Sequence, residues 1–205
     1  SEMCIRDRSG SGLMKAIQHN KNFAENNLER RLCNLQLLAL DVDGVLTDGS
    51  LNISNDGEIF KSFNAKDGLG ISIALRSGLQ IAIITGRKSG IIHQRASELG
   101  IKILREGVHD KAAEFHNLLN ELHLSNEEAA YMGDDLNDLP AFNVVGVSFA
   151  PCDAANEVIA RADVVVDKKG GKGAGRSVIE TILKAKGQWN EIVASYTFGG
   201  QGDKQ

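Results

Sequence analysis

Two aspartates separated by a single residue, Asp41 and Asp43, directly follow the apolar run Leu37-Leu38-Ala39-Leu40. A strand has a side-chain period of two, so both carboxylates fall on one side, just beyond the carboxyl end where open parallel sheets bind ligands. Like charges that close repel strongly unless a cation or a shared proton relieves them. A hard divalent ion is the simplest solution, and Mg²⁺ characteristically takes one or two carboxylates together with substrate phosphate. A second acidic cluster, Gly133-Asp134-Asp135-Leu136-Asn137-Asp138, follows a second apolar run, Ala129-Ala130-Tyr131-Met132. Read alone, these acids could do no more than cap the next helix, since a carboxylate at a helix start accepts backbone N–H bonds. In a parallel sheet both clusters meet at one edge. The run Ile83-Ile84-Thr85-Gly86-Arg87 adds a hydroxyl, glycine-freed N–H groups and a guanidinium at a helix start, an anion cradle or a plain turn. Lys111 opens a further helix, where a lone lysine is ordinarily a solvated charge.

These residues need a scaffold that delivers them to one place, and the hydropathy pattern supplies it. From Leu35 onward, short apolar runs alternate with stretches of helical periodicity, as a parallel sheet covered by helices on both faces requires. Strands are expected at Leu35–Leu40, Ile81–Ile84, Ile101–Leu104, Ala129–Met132, Val144–Val147 and Asp163–Val166. Helices are expected at Gly68–Arg76, Lys88–Leu99, Asp110–Leu122, Leu139–Phe142, Ala154–Ala160 and Ser177–Lys186. One interruption breaks the alternation: Leu51–Ile53 and Glu58–Phe63 flank Asn55-Asp56-Gly57, a strong hairpin signal. The expected fold is therefore α/β, a Rossmann-like parallel sheet with one projecting β-hairpin.

The chain has 205 residues, 42% hydrophobic and 24% charged, the composition of one globular domain rather than a disordered chain or a disulfide miniprotein. A formal charge of −4 excludes a general nucleic-acid binder, whose affinity rests on clustered cations. Cys4, Cys33 and Cys152 are odd in number and lack metal-ligand spacing, and the apolar runs are too short to span a bilayer. A cytoplasmic setting without nucleic acid or membrane follows as the expectation. Residues 1–34 read as a polar extension, with Ser1–Arg8 resembling translated adapter sequence, Met14 a sensible natural start and a weakly amphipathic helix over about Asn20–Leu32. Residues 35–190 form the expected domain, and 191–205 a mobile tail that is most polar from Gly199.

In order along the chain, Asp41-x-Asp43-Gly-Val-Leu-Thr47, Thr85, Lys111 and Gly133-Asp134-Asp135-x-x-Asp138 resemble the four motifs of the haloacid dehalogenase superfamily over residues 35–186. Asp41–Gly49, Phe63–Ile71, Ile83–Lys88 and Gly170–Ala174 further resemble its 3-deoxy-D-manno-octulosonate 8-phosphate phosphatases, which act on the way to the lipopolysaccharide inner core. The resemblance implies that Asp41 attacks phosphorus, that Asp43 protonates the departing oxygen and later takes a proton from water, and that Thr85 and Lys111 bind phosphoryl oxygens. It implies Mg²⁺ on Asp41, Asp134 and the carbonyl of Asp43, with Asp135 and Asp138 orienting metal water or Lys111. Asn64, Lys66, Asp67 and Gly68, with Arg87 and Arg95, match positions that contact the sugar acid. Lys66 and Ser72 stand where arginine is frequent in the family; lysine keeps the charge without the bidentate fork, and Ser72 loses it.

The 41 residues between Asp43 and Thr85 and the 25 between Thr85 and Lys111 are too few for a cap domain. A capless member must borrow its lid, and the resemblance implies a homotetramer whose hairpins join, with neighbours covering each site. Leu51, Ile53, Ile59 and Phe63 would otherwise leave an apolar hairpin exposed, unless it packs on its own core. The run Gly170–Gly175 either orders over the site, with Lys172 and Arg176 supplying charge, or is a flexible connector. Rival readings are a phosphatase of a nine-carbon sugar-acid 9-phosphate, a non-catalytic oligomerisation domain of the same fold, and a phospho-acceptor receiver domain. Receivers place adjacent acids after strand one, whereas Asp41 and Asp43 alternate.

Overall fold

The computed structural model describes residues 27–198; the expectations for residues 1–26 and 199–205 lie outside the described residues. A short helix, α1, covers residues 27–33, within the expected extension, and buries Leu32 in the core. Then come β1 (Leu37–Leu40), β2 (Asn52–Ser54), β3 (Gly57–Phe60), α2 (Ala65–Arg76), β4 (Gln80–Thr85), α3 (Gly90–Leu99), β5 (Ile103–Glu106) and α4 (Lys111–Leu122). They are followed by β6 (Ala129–Met132), α5 (Leu139–Phe142), β7 (Val147–Ala150), α6 (Asn156–Ile159), β8 (Val164–Val165), α7 (Ala174–Ala185) and α8 (Trp189–Phe198).

Six strands pair in the order β5-β4-β1-β6-β7-β8, every pairing parallel, while β2 and β3 form a separate antiparallel ribbon. All four β1 side chains are buried, and they divide by alternation. Leu38 and Leu40 pack with α2, α3 and α7 on one face; Leu37 and Ala39 pack with α4 and α5 on the other. Burial at about 1.5–3 kcal/mol per large apolar side chain anchors the strand that carries Asp41 and Asp43. Only the hairpin and α2 separate β1 from β4, and only α3 separates β4 from β5, so no cap interrupts the described chain. Among the described residues no helix is long and apolar enough to cross a membrane.

Besides boundary shifts of a few residues, as in β5 and α7, three differences from the sequence expectation have a physical reason. Strand β7 starts at Val147 rather than Val144 and runs through Ser148, because Ser148 N and Oγ both donate to Asp163, which satisfies the one polar residue in the run. Residues 191–198 are helical, not tail: Trp189 and Ile192 of α8 pack against the core, and the Arg176 guanidinium lies 5.2 Å from the Trp189 ring centroid. In the hairpin, Phe63 turns into the core and Phe60 takes its place on the surface. Leu51 is 43% exposed, Ile53 61%, Ile59 58% and Phe60 52%, so the ribbon does not pack on its own domain.

Candidate active site

The carboxyl ends of β1, β4 and β6 open into a cleft of about 270 Å³ lined by Asp41, Asp43, Thr85, Gly86, Arg87, Asp134, Asp135 and Asn137, with Gly49 and Leu51 at its hairpin side. Asp41 continues the β1 ladder, its N–H donating to the Met132 carbonyl. One carboxylate oxygen accepts from Val42 N at 2.7 Å and the other from Lys111 Nζ at 2.8 Å. Lys111 is the first residue of α4, capped by the Asp110 side chain, which aims the lysine inward instead of into solvent. Its buried ammonium also donates to Asp138 Oδ1 at 2.5 Å.

Asp138 is wholly buried and fully used. Oδ1 accepts from Lys111 and from Tyr131 Oη at 2.7 Å; Oδ2 accepts from Asp134 N at 2.8 Å and Asp135 N at 3.2 Å. One side chain thus sets both the lysine and the loop bearing Asp134. Burial works against the charge on Lys111, yet Asp41 and Asp138 more than offset it and hold its pKa above the ordinary value. Burial, reinforced by Asp138 and only partly countered by Lys111, pushes the Asp41 carboxyl up to about 6. Burial and the repulsion of Asp138, Asp41 and Asp135 push Asp134 up to about 7.

This arrangement fits a hard divalent cation. Oxygens of Asp41, Asp134 and Asp138 lie within 4.8 Å of one another. With Asp138 occupied by four donors, Asp41 and Asp134 are the carboxylates with capacity to spare. The Asp134 carboxylate leans on the main chain at Gly44, where a Cβ would sit 1.8 Å from Oδ2; glycine there, at φ +82°, makes the approach feasible. A cation would relieve the repulsion that raises both pKa values.

Asp43 lines the same cleft, its Oδ1 accepting from Lys61 Nζ at 2.6 Å and its Oδ2 3.5 Å from Arg87 Nε. Thr85, buried at the end of β4, presents its hydroxyl beneath the Arg87 amide. The structure therefore brings Asp41, Asp43, Thr85, Arg87, Lys111, Asp134, Asp135 and Asp138 together.

It does not bring the remaining expected contacts into this cleft. Asn64 caps α2, its Oδ1 accepting from Lys66 N, and Lys66 itself is exposed. Asp67 is buried against the start of α7, where Oδ1 accepts from Arg176 N at 2.8 Å; burial raises its pKa against the pull of those amides. Gly68 gives way to the Arg95 guanidinium, which lies 5.7 Å from the Phe63 ring and pairs with Glu98. The Gly170–Gly175 run is ordered: Gly171 N donates to Val45 O, and Gly170 packs directly on the Gly44 carbonyl. Arg176 is held by Glu180 and Trp189, so it brings no charge to the cleft.

Lys61, Tyr131 and Asn137 are site residues that sequence reasoning missed. Tyr131 carried one legible signal, since a phenol inside a fully buried strand must find a hydrogen-bond partner. Lys61 carried none; a lysine leaving a hairpin reads as a solvated charge.

A family profile described as haloacid dehalogenase-like hydrolase matches residues 101–176. The 3-deoxy-D-manno-octulosonate 8-phosphate phosphatase of Salmonella typhi is 46% identical over 158 residues, 77% of this chain and 84% of that protein. The chain belongs to the 3-deoxy-D-manno-octulosonate 8-phosphate phosphatase family. Two solved structures of that family superpose closely. The phosphatase from Yersinia pestis has a TM-score of 0.78 at 41% identity, covering 80% of this chain and 89% of that one. The phosphatase from Moraxella catarrhalis, in complex with magnesium ion, phosphate ion and a KDO molecule, has a TM-score of 0.81 at 36% identity over 83% and 98%.

Proposed function

We propose that this protein is a Mg²⁺-dependent phosphatase that hydrolyses 3-deoxy-D-manno-octulosonate 8-phosphate to the free sugar acid and phosphate, a step toward the lipopolysaccharide inner core. The observation that carries the reading is the cleft itself: Asp41, Asp43, Thr85, Lys111 and Asp134 converge at one sheet edge in a chain 46% identical to a phosphatase of that name. The nine-carbon alternative and the non-catalytic one have no such support.

Asp41, Asp134 and the main-chain carbonyl of Asp43 would hold the metal. When bound, Mg²⁺ supplies positive charge that offsets repulsion between the Asp41 carboxylate and the phosphate. Asp41 attacks phosphorus in line and becomes an aspartyl phosphate, dividing one difficult hydrolysis into two easier steps. Asp43 gives its proton to the departing sugar oxygen, then takes one from the water that cleaves the intermediate. Lys111 and Thr85 stabilise charge on the transferring phosphoryl group. Asp138 and Asp135 orient Lys111 and the Asp134 loop. Arg87, half-exposed at the mouth, meets the substrate's charged groups.

The exposed apolar hairpin supports a homotetramer in which neighbours cover each cleft, excluding water from the phosphoenzyme. Asn64, Lys66, Asp67, Gly68 and Arg95 remain the proposed contacts to the sugar acid: Lys66 is exposed, and Asp67 Oδ2 and Arg95 Nε are buried without a partner in the described chain. The reading places the enzyme in the cytoplasm, where the sugar acid would be made and used. Phosphate release from a panel of eight- and nine-carbon sugar-acid phosphates, with and without Mg²⁺, tests it. The eight-carbon substrate is expected to be preferred in kcat/KM, and Asp41→Asn to abolish turnover; full activity in that variant, or a nine-carbon preference, would overturn the assignment.

A further inference from the structure

Lys61 follows β3 immediately and is the buried residue of an otherwise exposed ribbon, its side chain only 1% accessible. Its ammonium sits between two carboxylates, 2.6 Å from Asp43 Oδ1 and 2.7 Å from Glu58 Oε1. Glu58 belongs to the hairpin and accepts in turn from Ser89 Oγ. Ser89, just before α3, has its own amide fixed by Glu106 Oε1 at 2.9 Å. An unbroken chain of polar contacts thus runs from Asp43 through Lys61 and Glu58 to the rim of the main sheet. A buried ammonium is costly unless its protons are taken up by acceptors, so neither contact is optional for Lys61.

The consequence for Asp43 is directional. With Oδ1 committed to Lys61, the carboxyl cannot rotate freely about its last bond, and Oδ2 is left toward Arg87 and the cleft. We propose that Lys61 is a positioning residue for the reaction: it presents Oδ2 of Asp43 to the leaving oxygen, and through Glu58 it makes that presentation depend on the hairpin. The proposal rests on the reading of Asp43 as the acid, whose proton passes to the departing sugar oxygen as the P–O bond breaks.

Leaving-group dependence separates positioning from mere structural support. A sugar alkoxide needs that proton, whereas p-nitrophenolate departs without it. In the full chain with Mg²⁺, Lys61→Met is expected to slow the single-turnover phosphorylation of Asp41 by the sugar-acid phosphate about 10- to 100-fold while leaving KM, and first-turnover release of p-nitrophenolate, within about 3-fold, since the later water step uses Asp43 with either substrate. In an Asp43→Asn background the same change should cost nothing further, because both act through one group. Glu58→Gln, which keeps the ammonium on Asp43 but loosens its second anchor, should show the same pattern at smaller amplitude, and serves if Lys61→Met fails to fold. Crystals of Lys61→Met or Glu58→Gln should show the Asp43 carboxyl turned from its wild-type rotamer. Equal losses on both substrates in the first-turnover phosphorylation rate, additivity with Asp43→Asn, or an unmoved Asp43 rotamer would overturn the proposal. Wild-type protein inactive on both substrates would instead overturn the phosphatase reading, and the rotamer would still decide the part played by Lys61.

Discussion

Asp138 has no contact with solvent, yet four donors from three segments converge on it. An asparagine there can accept at only one atom and must point an NH₂ at a donor. Asp138→Asn is therefore expected to leave a folded protein with activity reduced about 10- to 100-fold and a lower melting temperature, read from steady-state kinetics and thermal unfolding. The neighbouring acids give a pH signature. Asp41 and Asp134 titrate near 6 and 7 when folded but near 3.8 when unfolded, so the stability they confer is full below about pH 4 and lost as pH rises through 6 to 7. Asp67 is raised as well and acts in the same direction. Metal-free protein should thus melt higher at pH 5 than at pH 8, while saturating Mg²⁺ should raise the melting temperature mainly at pH 8, where the pair is ionised. A flat profile with equal Mg²⁺ gains at both pH values would contradict the assigned pair. At this scale the sequence was most legible where placement is local: Thr85 ends β4, and Asp41, Asp43 and Asp134 come within three residues of a strand's end. Asp67 and Arg95 were less legible: each packs away from the cleft of its own chain yet keeps a buried polar atom, Asp67 Oδ2 and Arg95 Nε, without a partner, and nothing in residue type reveals that.

Among the elements, the loop before α7 shows how backbone packing shapes a site it does not line. Gly170 rests on the Gly44 and Thr47 carbonyls, and an added Cβ would come within 1.9 Å of the former. Gly170→Ala must separate this loop from the one following β1, which carries Asp43. A stability loss of about 1–3 kcal/mol, with weaker Mg²⁺ binding, is the expected outcome in thermal melts and metal titration. Gly90→Ala is the control, because its Cβ would meet nothing within 4 Å and its backbone is not left-handed. The elements themselves were readable from periodicity, since buried parallel strands are short and uniformly apolar. Boundaries were lost where a polar group finds its partner far along the chain, as Ser148 does with Asp163. Helix α8 was lost because its apolar residues, Trp189 and Ile192, are few and meet a surface built by distant segments.

For the whole molecule, the hairpin is an element whose apolar side chains the described residues leave exposed. An isolated two-stranded ribbon is marginal in water, so a surface carrying Ile53, Ile59 and Phe60 calls for a partner. Replacing Ile53 and Phe60 together by Glu is expected to leave the sheet intact but to shift elution from tetramer to monomer and to reduce kcat/KM; unchanged elution from a monomeric wild type would sink the tetramer. At the opposite edge of the sheet, Cys33 Sγ donates to Ala185 O and Lys186 Nζ to Cys33 O, clasping the end of α1 to the end of α7. The Cys33 thiol is exposed there, at the amino ends of the strands. A solid support coupled through it, with Cys4 and Cys152 changed to serine, would hold the protein by its back and leave the cleft open to flowing substrate.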